Sequence, residues 1–399
     1  MTWPFRPATG PRLATPGFVI LAAATLAFFV AGGLVLPIAP RFAKLALGAD
    51  ALGFGLSIGS FAIASLLLRP VVGWSSDRYG RRPLLIGGSL VTIVGLLLHV
   101  VAADLLVFTI ARCALGAGEA FFFVAALAAA SDIAPEERRG EALSYLSLSL
   151  YLGIAIGPPV AEWVFRMGSY TAVWIVAAVV AGVAVVLSLL VPESAPLATT
   201  DRPQRSVRRI LIHPAGVLPG VVILLGLWGM AGFFTYLPLY TPEVGMEGAG
   251  LPLTAYALVV VVLRIVGATW PDRFGAARLS GVALAISAIG LAVIGLIPTS
   301  LGLMLGTVVF ASGVAFTMPA LLSLSVSRVP ATERGMVVGT ATVFLDLAFG
   351  VAPVVLGFVA DTSGYRTTFL VSAFLAVIAV TVLRATRTSF RQPLVVAGE

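Results

Sequence analysis

Long apolar runs alternate with short polar breaks along the whole chain. A membrane-crossing helix needs ~20 mostly apolar residues, and the charged and Pro/Gly-rich breaks divide the sequence into twelve such stretches. In the first half the pattern predicts helices over approximately 15–39, 51–73, 84–102, 105–130, 141–165 and 170–191. In the second half it predicts them over approximately 215–240, 250–270, 278–297, 300–323, 335–360 and 366–384. A backbone inside lipid must satisfy its own hydrogen bonds, which helices do within one segment. The expected fold class is therefore an all-α polytopic membrane protein with twelve transmembrane helices. The first run, from about Phe18 to Pro40, exceeds the ~7–15-residue core of a secretory signal and reads as a retained span.

Composition agrees with this pattern. The 399 residues are 59% hydrophobic, include 42 glycines and have a mean hydropathy of +1.05. A water-soluble chain of that makeup could not cover its apolar surface. A net charge of +7 would raise nucleic-acid binding in a soluble domain. Here the charges lie between apolar runs, so the expected partner is the lipid bilayer and not nucleic acid. Placing the N-terminus inside puts most of the 25 Lys and Arg residues, Arg78, Arg138, Arg205 and Arg273 among them, in inside loops. A cell membrane with both termini cytoplasmic is the expected location.

The inside segment from Val191 to Pro214 has no apolar span and carries Arg205, Arg208 and Arg209. It reads as a linker over 192–213 between six-helix halves at 1–191 and 214–399. One cysteine, Cys113, excludes an intramolecular disulfide and a cysteine metal cage. His99 and His213 are far apart, so no metal or cofactor is expected. Gly55-Leu56-Ser57-Ile58-Gly59 spells the nucleophile elbow of hydrolases, but that motif needs a strand–turn–helix corner. Inside an apolar helix it reads as close packing through small residues, and no enzymatic role is expected.

The charged stretch Gly73–Pro83, "GWSSDRYGRRP", has an echo. Asp77, Arg78 and Gly80 recur as Asp272, Arg273 and Gly275, 195 positions further on. The same offset pairs Leu68-Arg69 with Leu263-Arg264, Gly118 with Gly313, Pro158 with Pro353 and Tyr170 with Tyr365. A fixed offset over more than a hundred residues indicates a duplicated six-helix unit. Because six is even, the copies share one topology and are related by an axis along the membrane normal.

These residues resemble the major facilitator superfamily of secondary transporters along nearly the whole chain. The family's loop signature G-x-x-x-D-R-x-G-R-R stands here as Gly73, Asp77, Arg78, Gly80, Arg81 and Arg82. Its fourth-helix pattern R-x-x-x-G-x-G stands as Arg112, Gly116 and Gly118. Gly153-x-x-x-Gly157-Pro158 is similar to the fifth-helix motif of twelve-helix drug:proton antiporters, with Ala161 where a further glycine is usual. Pro37-Ile38-Ala39-Pro40 resembles that group's first-helix ending. The resemblance implies alternating access around a cavity lined by helices 1, 4, 7 and 10, with helices 2, 5, 8 and 11 beside them. It also implies a hinge in helix 5 and a role in proton handling for Arg112.

Physical reasoning adds candidate sites. A carboxylate at a helix N-terminus is favourable by ~0.3–2 kcal/mol. By the repeat, Asp77 should face the start of helix 11 near Gly335, and Asp272 the start of helix 5 near Gly140. With Gly73, Arg78, Gly80, Arg81, Arg82, Arg273 and Gly275 these form an expected cytoplasmic latch between the halves. Charges at bilayer depth cost ~2.5–3.5 kcal/mol even on lenient scales, so each needs a reason. Arg112 and Glu119 lie seven residues apart on one helix face, ~10.5 Å along the axis. Asp346 is expected near mid-depth in helix 11, where the first half has Tyr151. Burial disfavours the charged form of a carboxylate; Glu119 is therefore the first candidate for proton coupling and Asp346 the second. Alternatively, Glu119 bridges Arg112 structurally and Asp346 caps a packing interface. Among the aromatics, Tyr236, Phe122, Phe123 and Trp228 are the candidates for substrate contact.

The expected function is secondary transport of a small organic molecule by a monomer, with protons as the coupling ion and efflux of apolar or cationic compounds as the direction. A proton-coupled or facilitative importer of a sugar or other metabolite is the alternative. A receptor without flux is a third reading.

Overall fold

The computed structural model describes residues 13–135, 138–194, 213–267, 270–326, 329 and 333–386. For Asp77, Gly140, Pro271, Asp272, Val326, Arg334 and Gly335 it describes the backbone only. The helices are α1 (Pro16–Val35), α2 (Ala51–Tyr79), α3 (Arg81–Val100), α4 (Leu105–Ile133), α5 (Arg139–Met167) and α6 (Tyr170–Leu190), followed by α7 (Pro214–Tyr240), α8 (Gly250–Val266), α9 (Ala276–Leu296), α10 (Ser300–Val326), α11 (Arg334–Ser363) and α12 (Tyr365–Ala385). Eleven of them are long and apolar enough to cross a membrane. The other, α8, breaks at Gly267 and resumes as a short helix, Trp270–Phe274.

Polar residues start the helices as physical chemistry requires. Pro16 sits in the first turn of α1, and the Thr15 hydroxyl accepts from the Phe18 amide at 3.3 Å. Asp50 and Asp104 cap α2 and α4 by accepting from the Gly53 and Val107 amides at 2.8 and 2.9 Å. The first span differs from the sequence expectation at its end. Pro37 and Pro40 break α1, and the chain continues as a short helix, Ile38–Arg41, then a π-helical turn, Phe42–Ala46. That extension carries Arg41 and Lys44 to the other half.

Leu67, Leu106, Val179, Leu301 and Phe374 are exposed on the outside of the bundle. Such a continuous apolar exterior is stable only in lipid. Inside, hydroxyls turn back to their own helix, as where Thr25 donates to the Leu21 carbonyl and Ser89 to that of Leu85.

The halves meet along α2/α11 and α5/α8, and the 195-residue repeat is visible in three layers. In the first, a side chain added at Gly55 would strike Pro353 and Val354, and one added at Gly250 would press on Pro159 and touch Pro158. In the second, Gly59 lies on the Gly350 carbonyl, while at the equivalent place the Thr254 hydroxyl donates to the Ala155 carbonyl at 3.0 Å. In the third, Arg69 pairs with Asp346 at 2.9 Å and Arg264 donates to the Tyr151 hydroxyl at 3.0 Å. Every residue in one member of each layer is 195 positions from its counterpart in the other.

The end of the bundle that carries residues 36–50 and 241–249 is drawn shut by charge. Glu162, only 7% exposed, accepts from Arg41 at 3.0 Å and from the Ala249 amide at 3.0 Å. Lys44 reaches Asp361 at 3.0 Å, and Arg166 reaches Glu247 at 2.7 Å. Glu162–Ala249, Lys44–Asp361 and Arg166–Glu247 join the first half to the second, while the Arg41–Glu162 pair lies within the first and holds Glu162 in place.

Candidate transport cavity

A cavity of about 270 Å³ lies between the halves, walled by α1, α2, α4, α5, α7 and α11 with a contribution from α3. Its surface is mainly apolar: Phe28, Phe29, Phe61, Phe234 and Phe349 supply rings, and Leu115 and Ile154 aliphatic surface. The sequence expectation for helix 10 is corrected here, since none of the described side chains of α10 lines the cavity. The reason is packing: Phe310 of α10 is buried in a cluster with Phe233 and Tyr256, at ring distances of 5.3 and 5.9 Å.

The expected aromatic set is corrected in the same way. Tyr236 does not line the cavity; its hydroxyl donates to the Pro353 carbonyl and its ring leans on Phe54. Phe122 is fully buried and stacked on Phe28 at 4.0 Å, while Phe123 meets the edge of Phe29. Trp228 packs partly buried against the main hydrophobic core. The hydrophobicity of these residues was legible, but which rotational face of each helix they occupy depends on packing.

Two charged side chains line the cavity, Arg112 and Glu119, both from α4 as the seven-residue spacing requires. They do not bridge one another. Glu119 accepts from the Ser65 hydroxyl at 2.7 Å. Arg112 lies over the Phe61 ring at 5.1 Å and makes one long contact, 3.4 Å, to the Ile58 carbonyl. Its Nε has no hydrogen-bond partner among the described residues. The reading of Glu119 and Arg112 as a structural bridge is thereby removed. Asp346 lies outside the lining, held by Arg69 of α2.

The motif residues Gly153 and Gly157 let α5 press against α1. A side chain on Gly157 would come within 2.5 Å of the Gly33 Cα, and one on Gly153 within 2.6 Å of Phe29. Pro158 presents its carbonyl toward Gly250 across the halves.

The charged loop between α2 and α3 is built on Gly80, whose φ of +96° is closed to most side chains. Gly275 repeats the device at +79°. From that turn the Arg81 and Arg82 amides donate to Glu193 at 2.9 and 3.2 Å, placing a carboxylate at the N-terminus of α3. Arg81 is buried, pairing with Asp132 of α4 at 3.0 Å and donating to the Ser76 carbonyl at 2.5 Å. Arg78 is exposed and stacks over Trp74 at 5.3 Å. Gly73 and Arg273 have open surroundings. The expected latch contacts of Asp77 with Gly335 and of Asp272 with Gly140 fall on side chains outside the described residues.

Asp132, Glu193 and Glu162 were missed from sequence, and Arg69 and Tyr151 were read only as repeat counterparts; each is a single polar residue whose partner comes from another helix. Gly80→Ala should destabilise the protein by ~1–2 kcal/mol, since φ is forbidden and the new Cβ would meet the Glu193 carboxylate at 2.6 Å. Thermal unfolding in detergent micelles measures it, and an unchanged midpoint refutes this account of the turn.

Comparison with known proteins agrees with this architecture. The sequence profile of the Major Facilitator Superfamily matches residues 21–251 and 244–395. The "Uncharacterized MFS-type transporter STM4428" of Salmonella typhimurium is 26% identical over 91% of this chain and 94% of its own length. The MFS-type transporter YhhS of Escherichia coli K12 is 25% identical, covering 87% of this chain and 86% of its own. Among solved structures, the nucleoside transporter NupG superposes with a TM-score of 0.77 at 13% identity, over 92% of this chain and 99% of that one. A bacterial homologue of the lysosomal transporter Spinster, solved inward-facing and unoccupied, superposes at 0.77 with 14% identity, covering 96% and 98%. The repeated helical halves around a central cavity, the Gly73–Arg82 loop and a profile match over nearly the whole length lead to one assignment: this multi-pass membrane protein belongs to the Major Facilitator Superfamily of transporters.

Proposed function

We propose that the protein is a proton-coupled exporter of small, mainly apolar organic molecules, working by alternating access in a cell membrane with both termini cytoplasmic. The observation that carries this reading is Glu119: a carboxylate on the wall of an apolar cavity, held by one serine hydroxyl and free of any ion pair among the described residues. A carboxylate placed there can hold either a proton or a cationic substrate but not both, so that one displaces the other and the two fluxes are coupled. Asp346 is the second proton site. With the termini inside, the closed end is external, and the cavity faces inward to collect its cargo.

The test is proton movement in inverted vesicles energised to an acid interior and challenged with lipophilic cations, drugs, organic anions and sugars. Substrate-triggered proton release by the wild type, reduced at least ~100-fold in Glu119→Gln, is the expected outcome. Release that persists in Glu119→Gln removes Glu119 from the coupling path.

Arg112 favours a second reading, import of an anionic metabolite. Its guanidinium stays charged and has an unpartnered Nε on the cavity wall. Uptake of an organic anion that fails in Arg112→Gln, with no release triggered by cations, selects the importer.

A further inference from the structure

The third layer of the interface is symmetric in position but not in chemistry. Arg69 and Arg264 are repeat counterparts, and so are Tyr151 and Asp346. Each arginine crosses from one half to the other, Arg69 from α2 to α11 and Arg264 from α8 to α5. On one side the arginine finds a carboxylate at 2.9 Å; on the other it finds a phenol at 3.0 Å and lies over its ring at 4.5 Å. Only one of the two acceptors, the carboxylate, carries a charge that a proton removes.

We infer that Asp346 and Arg69 form a proton-operated joint between the halves, with the Arg264–Tyr151 contact as its counterpart without a carboxylate, and that protonation of Asp346 releases the end closed by Glu162. The inference rests on the alternating-access reading and adds to it the residues that convert proton binding into movement of one half against the other.

The geometry carries the argument. The Asp346 side chain is 9% exposed and its Oδ2 has no hydrogen-bond partner among the described residues, so its one strong contact is with Arg69. The Arg69 Nε is likewise unpartnered among them, and Asp346 is the hydrogen-bond partner that Arg69 has there. The charged groups whose fields reach Asp346 are Arg69 from α2 and Glu119 from α4. From α7, α10 and α12, which also pack on α11, no ionisable group reaches it among the described residues.

The bridge exists in the conformation whose 36–50 end is shut. A contact made in that state with the deprotonated carboxylate stabilises both together. By the same linkage the protonated acid favours the state in which the contact is absent. The Arg264–Tyr151 contact joins a charge to a hydroxyl and contains no carboxylate. Release is therefore one-sided, and the α5/α8 seam serves as the pivot.

The experiment places spin labels at Leu45→Cys and Leu251→Cys, exposed positions on opposite halves at the closed end, in a Cys113→Ser background. Double electron–electron resonance is recorded in liposomes from about pH 8 to about pH 5, with no substrate added. The expected result is a rise in the long-distance population on acidification by roughly 5- to 150-fold, the range of a typical coupling free energy. Asp346→Asn should show the long distance at every pH, and Arg69→Gln should abolish the pH response from the other side of the bridge. Tyr151→Phe should keep it. A distance independent of pH in the wild type overturns the joint, and so does a response that survives in both Asp346→Asn and Arg69→Gln. A response lost only in Glu119→Gln overturns it too, while leaving Glu119 as the coupling site. An intact joint with no transported compound counts against the exporter reading alone.

Discussion

Gly59→Leu is expected to hold the 36–50 end of the bundle open and to stop transport while leaving each half folded. Gly59 lies on the Gly350 carbonyl at the α2/α11 seam, and an added Cβ would overlap it. The neighbouring contact of Gly55 with Val354 is equally close, so α2 cannot slide to relieve the overlap. Overpacking a tight contact costs ~1–3 kcal/mol, and a leucine side chain extends well beyond its Cβ. The shut state should lose ~10- to 100-fold in population. The second half shows what is tolerable: Thr254 stands at the equivalent place and donates to Ala155. Gly59→Thr should therefore be the milder change. Distances between labels at Leu45 and Leu251 read the effect, with size-exclusion profiles to show that the variant is folded. An unchanged distance in Gly59→Leu would mean that this seam does not set closure.

Glu162→Ala is expected to give the largest loss of stability among single polar substitutions. Glu162 and Arg41 have side chains only 9% and 12% exposed, and Glu162 also accepts from the Ala249 amide. Removing one partner of a buried pair costs ~3–5 kcal/mol, because the other charge stays buried without compensation. The expected outcome is a marked fall in the thermal midpoint in detergent and opening of the same end. Glu162→Gln keeps an acceptor for Ala249 and should fall between wild type and Glu162→Ala. Replacing both residues, Arg41→Met with Glu162→Met, should recover much of the loss, since no orphaned charge remains. If Glu162→Ala melts with the wild type, the ion pair contributes nothing to stability.

The seam and the ion pair differ in how far they could be read beforehand. The apolar runs predicted each helix, because a bilayer leaves the backbone no alternative to internal hydrogen bonding. The repeat made the two halves legible as well. Gly55 and Gly59 were recognised as packing residues, but their partners Val354 and Gly350 lie almost 300 positions away. Glu162 is one acid in an apolar helix, and nothing near it in sequence announces Arg41.

The candidate site divides along the same line. Arg112 and Glu119 were legible, because two charges seven residues apart in an apolar helix must share a face. The aromatic wall was not: Phe28, Phe29, Phe61 and Phe234 line the cavity, and Tyr236, Phe122, Phe123 and Trp228 do not. Helix periodicity assigns residues to a common face, but it does not say which face meets the cavity. That depends on the rotation of each helix against its neighbours.

Sequence alone determined the membrane class, the helices, the duplication and the presence of costly charges at bilayer depth, because each follows from local hydropathy or from a fixed offset. Only the tertiary structure decided which of those charges meet. Arg69 finds Asp346 and Arg264 finds Tyr151 because two copies of one fold pack about a common axis, where side chains on distant helices become neighbours at a few ångströms.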